Sequence, residues 1–147
     1  MIYLEYLKSL NDQSVVYFHN LKFDQTFILC YLINNGWKQT QERAAKMKNK
    51  EFKALTSGVG TAYSLTLCFN KKIITICDSL KKLPFTVDKI AKDLDLSEKK
   101  GEIDYYEHRE EGSELSEEDK DYIRRDVEII AKAMKMIFFD NNFYKLT

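Results

Sequence analysis

The chain has five glycines and one proline among 147 residues, too few for a collagenous, linker-like or low-complexity polypeptide. Its three cysteines, Cys30, Cys68 and Cys77, show no CxxC spacing, and neither His19 nor His108 completes a zinc pattern. A disulfide scaffold and a structural zinc site are therefore excluded, and the thiols are expected to be buried in a reducing compartment. No apolar run approaches the roughly 18 residues needed to cross a bilayer, and the N-terminus lacks the basic segment followed by an apolar one that marks secretion. The expectation is a cytoplasmic chain with no membrane contact. Charge of one sign is also lacking: 23 basic and 23 acidic side chains cancel, so no global electrostatic argument for a polyanionic partner exists.

What is present is an ordinary globular composition, 44% hydrophobic and 31% charged, at a length that favours one domain of about 100–200 residues. Tyr3 to Leu10 carries apolar residues at helical spacing, and Asn11 to Ser14 stops it before a short strand, Val15 to Phe18. A second helix is predicted over roughly Phe23 to Asn35, with Phe27, Leu29, Tyr31 and Leu32 available for packing and Asn35-Gly36 ending it. Three strand-like stretches follow, Phe52 to Thr56, Tyr63 to Phe69 and Ile73 to Cys77, joined by turns at Ser57 to Gly60 and Asn70 to Lys72. Pro84 precedes a short helix starting near Thr86. Ser116-Glu117-Glu118-Asp119 reads as the capped start of a long helix reaching about Phe139, whose Ile123, Val127, Ile130, Met134 and Ile137 form one core-facing stripe. This order indicates an α/β fold with helices on a mixed sheet.

Charge is segregated along the chain. Lys38 to Lys53 holds six basic residues against Glu42 and Glu51 with little periodicity, which suggests a mobile connection. Asp93 to Glu128 holds fifteen acidic residues against six basic ones.

Asp24 sits in the first turn of the helix that follows the first strand, a common place for a functional carboxylate in α/β proteins. Tyr122 and Asp126 are four apart on the long helix, on one face. Two carboxylates and a phenol suit metal-assisted phosphodiester hydrolysis, where acids hold Mg²⁺ or Mn²⁺ and a phenol orients water. Spacing alone favours the plainer reading, Asp24 as a helix-start residue and Tyr122 and Asp126 as a solvated face, because both patterns are frequent.

The run Tyr17-Phe18-His19-Asn20-Leu21-Lys22-Phe23-Asp24 resembles the second exonuclease motif of protein-primed family B DNA polymerases of phages and linear plasmids. Asp78 to Phe85 resembles the segment after that family's central strands, and Lys100-Gly101-Glu102-Ile103-Asp104-Tyr105 its lysine-containing motif. Tyr122-Ile123-Arg124-Arg125-Asp126 resembles the third exonuclease motif, Y-x-x-x-D, in the right order. The resemblance spans nearly the whole chain. It implies a ribonuclease-H-like (DnaQ-like) 3′ to 5′ proofreading fold, with residues 1–147 as a single partial exonuclease domain. By that analogy Asp24 and Asp126 are metal-site carboxylates, Tyr122 orients the nucleophilic water and Lys100 stabilises the scissile phosphate. Tyr17, His19, Asn20, Phe23, Phe27, Ser79, Leu80 and Tyr105 match positions that hold the frayed single-stranded primer end, where aromatic rings stack on unpaired bases. Phe27 also suits a core position, and Tyr17 an ordinary strand position.

The family's first exonuclease motif, D-x-E on a leading strand, is expected several tens of residues before Asp24, yet only 23 residues precede it and Tyr3-Leu4-Glu5 is not that motif. The fold is therefore expected to be truncated, with its first strands missing. The Mg²⁺ or Mn²⁺ of the family would bind weakly or not at all, and the chain is expected to be an inactive or very weak nuclease that contacts single-stranded DNA. A bare sheet edge beside Val15 to Phe18 would recruit a second copy, a protein partner or the N-terminal helix. The competing reading is a non-catalytic mobile-element interaction protein that reuses the scaffold.

Overall fold

The computed structural model describes residues 2–57, 62–95 and 112–139, and the chain divides into two compact units, Met1–Lys81 and Lys82–Thr147.

In the first unit, helix α1 (Ile2–Ser9) leads into strand β1 (Ser14–Phe18) and helix α2 (Leu21–Asn34). Four strands follow: β2 (Lys38–Gln39), β3 (Glu51–Thr56), β4 (Ala62–Phe69) and β5 (Lys72–Asp78). They form one sheet in the order β1-β5-β4-β3-β2, with β1–β5 and β2–β3 parallel and the two central pairings antiparallel. The β4–β5 hairpin closes through Asn70 and Lys71, both at positive φ (48° and 74°), the geometry of a two-residue turn whose twist matches that of the strands.

Period-two burial decides the sheet's inner face. Leu65 and Leu67 on β4 and Ile74 and Ile76 on β5 are fully buried. Against them α2 sets Leu21, Ile28 and Leu32, and α1 sets Leu4 and Leu7. Each such side chain contributes about 1.5–3 kcal/mol through burial. Gln25 shares the α2 inward face, whose steps of four, three and four leave Phe27 and Cys30 exposed. The sequence expectation that all three thiols are buried is thus corrected: Cys68 is buried, Cys77 half-buried and Cys30 exposed.

The basic segment after Lys38 is more ordered than its lack of periodicity suggests. Trp37 is buried just before it and Met47 within it, β2 pairs with β3, and a short 3-10 turn covers Ala44–Lys46. Gly58 and Gly60 lie outside the described residues. Among the described residues β1 is the outer strand on its side, with Val15 exposed and the Tyr3 ring of α1 edge-on to Phe18 at 5.6 Å.

In the second unit, helix α3 (Val87–Asp93) is capped by Thr86, whose hydroxyl accepts the Lys89 N–H at 3.3 Å, and buries Ile90 and Ala91. Helix α4 (Glu117–Phe139) begins at a reciprocal cap: Ser116 Oγ accepts the Asp119 N–H at 3.0 Å and donates to Asp119 Oδ2 at 2.9 Å. Its expected stripe is corrected in the N-terminal half. Ile123 and Val127 are exposed, whereas Asp119, Ile129, Ala133 and Met134 are buried and Tyr122 and Asp126 half-buried. Of the expected stripe Met134 is buried and Ile130 and Ile137 are half-buried, so the inward side matches it only in the C-terminal half of the helix. Among the described residues no helix is long and apolar enough to cross a membrane.

Candidate nucleic-acid interface

Strands β1 and β5 run parallel and finish in register, Phe18 opposite Asp78, so the turns that follow them emerge side by side at the carboxyl end of the sheet. That is where α/β sheets place ligands. After β1 come His19 and Asn20; after β5 come Ser79 and Leu80, in a 3-10 turn over Ser79–Lys81.

The two turns are tied crosswise. Ser79, fully buried, donates its hydroxyl proton to the Phe18 carbonyl at 2.9 Å. With that proton committed, the hydroxyl receives the His19 Nδ1 proton at 3.0 Å, which fixes the imidazole's tautomer and tilt. Asp78, only 5% exposed, accepts through one oxygen from the Asn20 N–H at 3.0 Å and from the Leu80 N–H at 2.9 Å. Asn20 holds the left-handed conformation (φ 68°, ψ 54°) that asparagine tolerates better than most residues, and its side chain makes no cap bond to α2. Tyr17, next to the last residue of β1, is half-buried, and burial, aided by the Cys77 thiol, pushes its phenol pKa up.

Past Asn20, α2 presents Phe23 and Phe27 one turn apart on its outer face, 66% and 75% exposed. The core position allowed for Phe27 by sequence is thereby excluded. Asp24 lies between them in sequence, and its carboxyl pKa is raised by desolvation, partly offset by a backbone N–H bond. Tyr3 of α1 carries a buried phenol oxygen with no hydrogen-bond partner among the described residues; burial, then Tyr6, then the Asp24 charge push its pKa well up. The Gln25 Oε1 is likewise buried and unpartnered among the described residues.

In the second unit, Tyr122 and Asp126 stand one turn apart on the inward side of α4, with Asp126 Oδ1 shut off from solvent. A plain solvated face does not describe them. Lys100 and Tyr105 lie outside the described residues.

The structure thus brings Tyr17, His19, Asn20, Phe23, Asp24, Ser79 and Leu80 into neighbouring stretches of the first unit and Tyr122 and Asp126 into one turn of the second. Sequence reasoning gave Asp78 no site role, because the backbone it holds, Asn20, lies 58 residues away. Among the described residues no three His, Cys, Asp or Glu side chains gather at one point. Hard cations take six or more oxygens, and each unit offers one candidate carboxylate.

Comparison with known proteins agrees with this architecture. Residues 6–146 match the family described as DNA polymerase type B, organellar and viral. The DNA polymerase of Bacillus phage B103 is 43% identical over 131 residues, 86% of this chain and 22% of that protein. That of Bacillus phage phi29 is 41% identical over 134 residues, 88% of this chain and 23% of that protein. The chain thus spans under a quarter of the length of these relatives. The structure of phi29 DNA polymerase complexed with single-stranded DNA superposes with a TM-score of 0.85 at 36% identity, over 95% of this chain and 25% of that one. The match falls in the exonuclease region at the N-terminal side of that polymerase and covers part of it. The mixed sheet with its helices is therefore of the exonuclease type, and the chain belongs to the organellar and viral type B DNA polymerases.

Proposed function

We propose that residues 1–147 act as a single exonuclease-type module that grips the end of a single DNA strand and, by themselves, cut it weakly or not at all. The observation that carries this reading is the pair of cross-tied turns displaying His19, Asn20, Ser79 and Leu80 next to the outward-facing Phe23 and Phe27. Two exposed phenyl rings one helical turn apart have no folding role there and cost solvation. As stacking platforms for unpaired bases they contribute about 1–3 kcal/mol per base with little sequence preference. Short polar groups on rigid turns bond sugar and phosphate oxygens, which positions the strand without reading it. Tyr17 and Tyr105 complete the strand-holding set.

The chemistry is assigned to Asp24, Asp126, Tyr122 and Lys100. The two aspartates are the acids through which Mg²⁺ or Mn²⁺ would be held, Tyr122 orients an attacking water, and Lys100 stabilises the scissile phosphate. Each described unit supplies one of these carboxylates, fewer than a hard cation takes, so the chain is assigned weak or no nuclease activity. The outer edge of β1, with Val15 exposed, is assigned self-association, and the site of action is the cytoplasm.

Fluorescence anisotropy with a labelled single-stranded oligonucleotide across a salt series tests the grip. Binding that weakens steeply with salt is expected, because phosphate contacts release counterions. Absence of binding at low salt would sink the reading. In a parallel assay with Mg²⁺ or Mn²⁺, robust release of mononucleotides that disappears in Asp126→Ala would refute the assigned inactivity. Light scattering that gives a strict monomer at high concentration would remove the edge assignment.

A further inference from the structure

The inner face of β5 reads Ile74, Ile76, Asp78, so a carboxylate stands where the alternation asks for a third aliphatic side chain. Burying a charge there is unfavourable unless its hydrogen bonds are made. Those bonds run to two backbone amides, one on each turn of the candidate grip: Asn20 N, 58 residues from Asp78, and Leu80 N, two residues on. Charge-assisted bonds of this kind are about twice as strong as neutral ones. Asn20 is also the N-cap of α2, and its own side chain caps nothing. Asp78 therefore supplies, from a neighbouring strand, the anionic partner that helix N-termini favour. The amide it binds belongs to Asn20, which is left-handed (φ 68°, ψ 54°).

Resting on the strand-gripping reading above, we infer that Asp78 is the positioning residue of the grip: one buried oxygen sets His19 and Asn20 on one turn, and Ser79 and Leu80 on the other, in a single fixed arrangement. Without it both amides lose their partner, Asn20 relaxes toward commoner backbone angles, and the start of α2, with Phe23 one turn on, is no longer fixed against Ser79. Asp78 touches no strand itself; it acts through the residues it holds.

The test uses the whole chain, anisotropy with a labelled oligothymidylate, and circular dichroism to score folding. Asp78→Ala is expected to weaken binding about tenfold or more, whereas Asp78→Asn, whose amide oxygen still accepts both bonds, stays within about threefold of wild type. His19→Ala, which weakens wild-type binding, is expected to cost at most about twofold in the Asp78→Ala background, because positioned residues couple to what positions them. A fully additive pair, a folded Asp78→Ala with wild-type affinity, or a folded Asp78→Asn as weak as the alanine variant overturns the inference. Should Asp78→Ala not fold, Asp78→Glu replaces it, keeping the charge but moving the oxygen by one methylene. Several-fold weaker binding supports the inference, and wild-type affinity in that folded variant overturns it. If wild type itself does not bind, the strand-gripping reading fails and takes this role with it. If wild type binds and every Asp78 variant binds equally, only the Asp78 role fails.

Discussion

The two regions that carry the candidate residues are held in opposite ways. At the ends of β1 and β5 the arrangement depends on hydrogen bonds between residues 58 to 61 apart in sequence, His19 with Ser79, Asn20 with Asp78 and Ser79 with Phe18. On α4, Tyr122 and Asp126 are placed relative to each other by one turn of helix, whose start is fixed by the local Ser116–Asp119 cap. The first arrangement exists only once the sheet has formed, so a single buried polar side chain can disrupt it. The second survives as long as its helix does. A surface built from non-local ties is more fragile to mutation than a pair of groups spaced by helical repeat.

The contrast is breakable most forcefully through the sheet. Ile76→Ala empties a fully buried position on β5 two residues before Asp78, and it is expected to cost about 2–5 kcal/mol in urea unfolding. If it does so and the tied turns keep their DNA affinity at temperatures where the chain is folded, the turns do not depend on the sheet as claimed.

Next in size, the double variant Phe23→Ala/Phe27→Ala is expected to weaken single-stranded DNA binding about tenfold to a hundredfold, with stability changed by less than about 0.5 kcal/mol, since both rings are solvent-facing. A large fall in melting temperature would mean that the rings pack instead of stacking on bases. Ser116→Ala removes the local cap and is expected to cost about 1 kcal/mol, read as faster amide exchange in the first turn of α4, with anisotropy unchanged. Altered DNA binding in that variant would couple the two regions and remove the distinction.

The smallest effect concerns Asp24. Its folded-state carboxyl pKa is raised by desolvation, so its charged form is disfavoured by folding. Its contribution to stability is therefore fully present below the unfolded-state pKa and lost as pH rises through the folded one. Asp24→Asn should raise the melting temperature slightly at neutral pH, with the difference closing in acid. A variant less stable than wild type at neutral pH would reverse the sign.

Much of the fold is legible in the order of residues. The strands around Val16, Leu67 and Ile76, the turn at Asn70-Lys71 and the caps at Thr86 and Ser116 follow from alternation, turn chemistry and side-chain oxygens close in sequence. The same is true of Phe23 and Asp24 in the first turns of α2. The face that a helix turns inward is less legible. On α4 the apolar stripe through Ile123 and Val127 points to one side, while the structure buries Ile129 and Ala133 and draws Tyr122 and Asp126 half inside. Asp78 was unreadable for a similar reason: nothing near it in sequence reveals that Asn20 waits on the neighbouring strand's turn.

By itself, then, the sequence determined the elements, their caps and the spacing of groups within each helix, because those depend on dihedral preferences and on partners within a few residues. Only the tertiary structure decided that β1 lies beside β5, that Asp78 and Ser79 tie their turns together, and that Cys30 faces solvent. Such facts depend on which surfaces exclude water from one another, and that is settled between segments far apart in the chain.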